Sequence, residues 1–348
     1  ATRTAPSSWI DSVANDRREP PPGRGVASGD GSEIARHGLP PAVVVTGASG
    51  FVGRNLVEAL AGKVERLIAV TGTARDVPGC DATVTLDAID ALPALPDDTV
   101  VVHLAAHRYD ASRATLVQSD ILAENADITS RVFRFCATRG IRELRLGSSV
   151  AVYGQVVGPM DDAVPVDLAI PPHPHEAFYA WSKRWAEIHA DLYRERYGLH
   201  AVTLRLANPY GPYDSTVEAR AHVAPAFVMR ALHADPTFVI RGDATVTRDF
   251  TYVGDVVDVI MQTLEWRGVH GAWNVCTGTN VTLADLAREA MRAAGRERPI
   301  VADAPGAFGP AHRVATSARI IQATGVRFRS LAEGMIPTMG WYRDALGR

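Results

Sequence analysis

The stretch Val43-Val44-Val45-Thr46-Gly47-Ala48-Ser49-Gly50-Phe51-Val52-Gly53 constrains the fold more than any other part of the chain. Its β-branched run reads as a buried strand. Glycines follow at 47, 50 and 53, and Arg54 to Leu60 then carries apolar residues at helical spacing. A strand that turns through glycines into a helix N-terminus suits a phosphate. Free N–H groups and the helix dipole face the anion, and positions without side chains let the backbone approach it. The glycine spacing is common on its own, but with a strand before it and a helix after it, it predicts a dinucleotide-binding turn. It is not a P-loop, because Gly53 is followed by Arg54-Asn55 rather than Lys-Ser/Thr. Gly47, Ser49, Gly50, Phe51, Val52 and Gly53 are therefore candidate cofactor contacts.

From Pro41 onward the pattern alternates strand and helix. Short apolar runs at Leu67–Val70, Ala82–Leu86, Thr99–Leu104, Arg142–Leu146 and Ala201–Leu206 read as strands, and Ile121–Arg139 and Ala177–Tyr197 read as long helices. This alternation predicts α/β architecture: a Rossmann doubly wound parallel sheet with a smaller C-terminal substrate-binding domain. The expected divisions are a flexible N-terminal tail over 1–40, an NAD(P)-binding domain over 41–207, and a mainly substrate-binding domain over 208–348. About 250–275 is expected to return to the first domain. The tail is rich in Pro, Ser, Gly, Arg and Asp and lacks a periodic apolar face. Asp255–Glu265 reads as a helix, Ala272–Val275 as a short strand, and Thr282 as the cap of a further helix with Asp285 three residues on.

Bulk properties narrow the function classes. An apolar content of 47% over 348 residues supports a sizeable core. A formal charge of −3 gives no footprint for nucleic acid or an anionic membrane. No apolar run is long enough to span a bilayer. Cys80, Cys136 and Cys276 are widely spaced, without metal-ligand spacing, so ordinary reduced thiols and a cytoplasmic setting are expected, with no metal site.

The end of the second strand bears on the cofactor. A carboxylate there binds the ribose hydroxyls of NAD, whereas a nearby arginine accommodates a 2′-phosphate. The chain reads Val70-Thr71-Gly72-Thr73-Ala74-Arg75. Thr71 and Arg75 therefore favour NADP(H), with NAD(H) as the alternative. Asp87, after the third strand, is a candidate partner for the adenine amino group.

Tyr179-Ala180-Trp181-Ser182-Lys183 places a phenol and an ammonium one helical turn apart on one face. Ser148-Ser149 closes an earlier strand. A phenol near its ordinary pKa of ~10 is a weak acid or base at neutral pH. A neighbouring ammonium favours the phenolate, which makes proton exchange with a sugar oxygen practicable. A serine hydroxyl holding the same oxygen would position it. The expected catalytic set is Ser149, Tyr179 and Lys183.

With these motifs in order, the chain resembles the extended short-chain dehydrogenases/reductases that act on nucleotide sugars. The similarity runs from about Val43 to the C-terminus. It is carried by the glycine turn, by His103-Leu104-Ala105-Ala106, Gly147 to Gly154, Tyr179-x-x-x-Lys183, Asn208-Pro209-Tyr210-Gly211-Pro212 and Arg248-Asp249-Phe250. The resemblance implies cofactor contacts from Leu104, Ala105, Ala106 and Asn125 as well as from Tyr179 and Lys183, and a homodimer through the two long helices. His107-Arg108-Tyr109 is expected to overhang the substrate. The family's 4,6-dehydratases carry an Asp-Glu pair after the serine position; Val150 and Ala151 stand here, and neither moves a proton. The region from Asn208 looks closest to the GDP-fucose synthases. That likeness implies His222 as an acid/base or substrate-contacting group, with substrate contacts from Ser149 and Asn208 and a diphosphate clamp from Arg230 and Arg248. The synthases' cysteine two residues after the catalytic serine is replaced by Ala151. What remains are NADPH-dependent 4-ketoreduction of a nucleoside-diphosphate 4-keto-6-deoxysugar and, alternatively, 4-epimerisation through a transient 4-keto sugar with retained NAD.

Overall fold

The computed structural model describes residues 34–107, 118–156, 158–303 and 314–348. In chain order the main elements are β1 (Ala42–Thr46), α1 (Phe51–Leu60), β2 (Arg66–Thr71), β3 (Ala82–Thr85), β4 (Val100–His103), α2 (Gln118–Thr138), β5 (Glu143–Ser149), α3 (Ala177–Tyr197) and β6 (His200–Leu206). There follow α4 (Val223–Leu232), α5 (Val253–Leu264), β7 (Gly271–Val275), α6 (Leu283–Ala294), α7 (Ala318–Thr324) and α8 (Leu331–Leu346).

The seven strands form one sheet in the order β7-β6-β5-β4-β1-β2-β3, with every neighbouring pair parallel. The valine run of β1 explains why this strand is central. Val43 and Val45 pack on one face with Leu56, Val57, Leu60, Val256, Ile260 and Trp266. Val44 packs on the other face with Phe133, Cys136, Ala186 and Ala190. A strand covered on both faces needs apolar residues at every position, not at alternate ones. The order reverses between β1 and β4, and the crevice at the carboxyl ends of those two strands is where such sheets take ligands.

The return of the chain after 250 has an electrostatic anchor as well as an apolar one. Arg145, fully buried on β5, donates from Nε to Thr263 O at 2.8 Å, from Nη2 to Trp266 O at 2.5 Å, and from Nη1 to Glu143 Oε2 at 3.0 Å. These bonds tie the C-terminal end of α5 under the sheet and leave β7 free to pair with β6. Helix α7 returns too: Ile320 and Ala323 join the core beneath the sheet. The remaining C-terminal elements have a core of their own around Tyr210, Phe227, Phe238, Met291, Met335 and Tyr342.

Two expectations shift. Residues 34–40, expected as part of the tail, lie against the end of α5: Arg36 bridges to Trp266, and His37 N donates to Glu265 O at 2.9 Å. Residues 1–33 lie outside the described residues. Helix α5 begins at Val253, two residues before the expected Asp255, which sits buried in its first turn and accepts from Arg329 N at 2.7 Å. Thr282 caps α6 as its spacing predicts, its Oγ1 accepting from Asp285 N at 2.9 Å.

Candidate active site

The three glycines of the turn are required for different reasons. Gly47 has φ +71, and a Cβ on it would lie 2.7 Å from Ala105 N. A Cβ on Gly53 would lie 2.1 Å from Gly47 O. These two let the chain after β4 and the first turn of α1 close on the turn. Gly50 is the exposed N-cap of α1, with φ −81, and the nearest atom to its would-be Cβ is Gly47 O at 3.1 Å. That contact is tight but far milder than at Gly47 or Gly53, and a side chain would also stand in the cradle over the helix N-terminus. The residues present thus fit a dinucleotide phosphate. Gly53→Ala is expected to cost about 1–3 kcal/mol of stability through overpacking. Gly50→Ala, whose Cβ meets one atom at 3.1 Å, is expected to lower the Tm less than Gly53→Ala does yet weaken dinucleotide binding roughly tenfold. Thermal unfolding and titration of the same two variants check both.

The chain after β4 is held beside this turn. Thr46 Oγ1 bonds His103 Nδ1 at 2.7 Å and accepts from Ala105 N at 3.3 Å, and Leu104 N donates to Thr46 O at 3.1 Å. His103 Nε2 reaches Thr129 Oγ1 at 3.2 Å on α2. Burial, with a smaller effect from the Lys183 ammonium, pushes the His103 imidazole down to about 3. It is a neutral hydrogen-bonding link at neutral pH. Asn125 takes the next step outward: its Oδ1 accepts from His107 N at 2.6 Å, and Nδ2 donates to His107 O at 3.4 Å. Leu104, Ala105 and Ala106 therefore reach the β1/β4 crevice, and Asn125 fixes the chain beyond them. Arg108 and Tyr109 lie outside the described residues.

At the end of β2, Thr71 is buried and donates to Thr73 O at 2.8 Å, closing the turn, while Arg75 is exposed. Asp87 is 85% exposed and accepts from Arg131 Nη1 at 2.5 Å.

The Ser–Tyr–Lys set comes together from β5 and α3. Lys183 Nζ donates to Gly147 O at 2.8 Å and lies 5.7 Å from the Tyr179 ring centroid. Ser149 ends β5, and its Oγ accepts from Ala151 N at 3.2 Å, capping the short turn Val150–Tyr153. Burial pushes the Lys183 ammonium down to about 8, against an upward pull from the Glu187 carboxylate.

Behind these groups lies a polar chain that the motifs do not announce. Ser148 Oγ donates to Glu187 Oε1 at 2.6 Å. Arg205 of β6 grips Glu187 with Nε to Oε1 at 3.1 Å and Nη2 to Oε2 at 2.7 Å. Arg205 Nη1 donates to the Tyr153 hydroxyl at 2.8 Å, which donates to Asn274 Oδ1 at 2.9 Å. The sequence signal was an arginine inside the apolar strand Ala201–Leu206 and an acid four residues after Lys183.

The substrate-side candidates are more dispersed. Asn208, with φ +32, donates from Nδ2 to Asp249 O at 2.8 Å. Asp249 in turn is buried and accepts from Thr277 N at 3.0 Å, Thr277 Oγ1 at 2.8 Å and Gly278 N at 2.7 Å. These bonds fix the backbone next to Arg248, which is half-buried. His222 is the exposed N-cap residue of α4. Arg230 is committed elsewhere: Nε and Nη2 donate to Glu218 Oε1 at 3.2 and 2.6 Å, and Nη1 to Val239 O at 2.5 Å. An Arg230 clamp on a diphosphate would have to break these bonds. Burial raises the thiol of Cys136 to about 12 and that of Cys80 to about 11, as expected for unreactive cysteines. Among the described residues no cluster of metal-ligating side chains occurs, and no helix is long and apolar enough to cross a membrane.

Known proteins are similar to this chain in sequence and fold. The family model for the NAD dependent epimerase/dehydratase family matches residues 43–276. The chain is 28% identical over 325 residues to a dTDP-4-dehydro-6-deoxy-D-allose reductase of Streptomyces bikiniensis, with 86% of this chain and 96% of the relative covered. The solved UDP-glucose 4-epimerase of Thermus thermophilus, in complex with NAD, is similar with a TM-score of 0.70 and 27% identity, covering 87% of this chain and 99% of its own. The structure of RMD from Pseudomonas aeruginosa, complexed with NADPH, gives a TM-score of 0.68 and 26% identity, with 88% and 99% covered.

Proposed function

The chain belongs to the NAD dependent epimerase/dehydratase family, and from that premise we propose that it is an NADPH-dependent 4-ketoreductase of a nucleoside-diphosphate 4-keto-6-deoxysugar. The observation that carries the reading is the end of β2, where buried Thr71 and exposed Arg75 stand in place of a strand-end carboxylate. That charge pattern suits a 2′-phosphate and hence a dinucleotide spent as a reductant. The Streptomyces reductase, matched over 96% of its length, supports the same class.

The dinucleotide, when bound along the glycine turn, supplies the hydride. The chain's own groups handle the oxygen. Ser149 donates its hydroxyl proton to the substrate carbonyl oxygen in a hydrogen bond and fixes its place. Tyr179 gives its phenolic proton to that oxygen as it becomes an alkoxide, and the Lys183 ammonium stabilises the phenolate left behind. Val150 and Ala151, both buried, offer no second acid/base pair. Arg248 carries the diphosphate contact, with Asn208 and Asp249 holding its backbone, and His222 is a substrate-side contact at the opening of α4. A homodimer through α2 and α3 completes the proposal. Ile188 and Leu192 on α3 are 42% and 55% exposed, apolar area that a second copy would cover, and light scattering is expected to give the mass of two chains.

The test is NADPH consumption with several nucleoside-diphosphate 4-keto-6-deoxyhexoses. Consumption with loss of the keto group supports the reading. No consumption, with interconversion of intact nucleoside-diphosphate hexoses, overturns it in favour of a 4-epimerase. The likeness to the Thermus epimerase holding NAD favours that second reading; an epimerase of this kind would release NAD on denaturation. Arg75→Ala is expected to weaken NADPH about tenfold or more, the loss of one charge-assisted contact, while leaving NADH within about twofold. Equal losses for the two dinucleotides would remove the 2′-phosphate assignment.

A further inference from the structure

We infer that Glu187 is a positioning residue for the Ser149–Tyr179–Lys183 site: held by Arg205, it pins the end of β5 through Ser148. The inference rests on the ketoreductase reading for its assay, not for its geometry.

The case begins with placement. Glu187 lies four residues after Lys183 on α3, on the same helical face. The backbone from Gly147 to Ser149 is then tied to α3 at two successive residues. Gly147 O accepts from Lys183, and Ser148 Oγ donates to Glu187 Oε1 at 2.6 Å. Ser149 is the next residue, and its hydroxyl can meet a substrate oxygen only if this strand end keeps its distance from α3.

Glu187 itself is not free to wander. Its side chain is 15% exposed, that of Arg205 7%, and both carboxylate oxygens are taken by the guanidinium fork. A charged pair of this kind adds little net stability, since desolvation offsets the attraction. What it supplies is a fixed geometry for Glu187. Arg205 is fixed in turn by Tyr153 and, through it, by Asn274 on β7, whose N donates to Asp162 Oδ2 at 2.7 Å. The chain thus crosses β5, α3, β6 and β7, the elements that carry the catalytic groups and their support.

The charge has its own consequence. The groups facing Lys183 are Tyr179 and Glu187 on α3 and His103 on β4, and His103 is neutral near pH 7. Glu187 is therefore the nearby anion that favours the Lys183 ammonium. Its removal lowers the pH at which that ammonium is lost.

The experiment compares Glu187→Gln, Glu187→Asp and Ser148→Ala with the parent enzyme across pH, using NADPH and a 4-keto sugar on which the parent is active. Glu187→Gln is expected to lower kcat about tenfold with KM for the sugar within about twofold, and to move the basic limb of the kcat profile down by about half a pH unit or more. Glu187→Asp keeps the charge and is expected to restore the limb while kcat stays low. Ser148→Ala leaves Glu187 charged and is expected to lower kcat about threefold or more at an unmoved limb. An unmoved limb in Glu187→Gln overturns the charge role. Parental kcat in Ser148→Ala overturns the positioning role, and that variant serves even where Glu187→Gln does not fold. Inactivity of the parent on every 4-keto sugar strikes the ketoreductase reading; the same variants are then measured in the epimerase direction.

Discussion

Tyr179→Phe is expected to lower kcat for ketone reduction by about 10³-fold, with dinucleotide affinity within about threefold and an unchanged Tm. The substitution removes one oxygen and leaves the ring that Lys183 faces at 5.7 Å. It leaves the polar chain behind the site intact, since Tyr179 is half-buried near the first turn of α3 and that chain runs through Tyr153 and Glu187 instead. What it removes is the phenolic proton that α3 supplies to the crevice. Without it the developing alkoxide must be met by Ser149 alone, which can donate a hydrogen bond but stays far too weak an acid to give up its proton. A loss of only a few-fold would mean that another group delivers the proton, and would take the acid role away from Tyr179. A loss of activity accompanied by a fall in Tm would say the ring position, not the hydroxyl, had been disturbed, so thermal unfolding belongs in the same measurement.

The parts of this site that rest on local rules were legible in the sequence. Val43–Val45 followed by glycines at 47, 50 and 53 could be placed as strand, turn and helix because each signal is contained within a dozen residues. Helix α3 runs from Ala177 to Tyr197 as the periodicity and Gly198 predict, with Gly198 at φ +66 ending it. Tyr179 and Lys183 share a face for the same reason. What could not be read is contact made at a distance along the chain. Arg145 looks like an edge charge in Arg142–Leu146, yet it is fully buried because the carbonyls of Thr263 and Trp266, more than a hundred residues on, come to meet it. Arg230 looks like a free cation for a diphosphate, and only the fold brings Glu218 and Val239 O to its fork. Glu187 and Arg205 look like a helix-surface acid and a strand anomaly until β6 and α3 are packed together. Charged side chains carry little positional information in sequence, because their partners are set by tertiary structure rather than by spacing.

Lys183→Ala follows as the second large effect, and its pH dependence separates it from the tyrosine variant. The expected loss in kcat is about 10²-fold or more, because an uncharged position no longer stabilises the phenolate formed as Tyr179 gives up its proton. In the proposed mechanism the required form of Lys183 is the ammonium, whose pKa burial lowers to about 8. The sign follows from that. Below about pH 8 the group is protonated and the support is present; as pH rises through about 8 it is lost, so kcat/KM is expected to fall on the alkaline side well before an ordinary lysine near 10.5 would titrate. His103, already neutral down to about 3, adds no limb between them. In Lys183→Ala the small residual rate is expected to lack that alkaline fall, because the group that titrates has gone. The alanine also deletes the bond to Gly147 O; Lys183→Met deletes that bond too but fills the space of the side chain, so the difference between the two variants measures the packing part of the loss. An alkaline fall that survives in both variants would assign the titration to another group and leave Lys183 with a purely binding role.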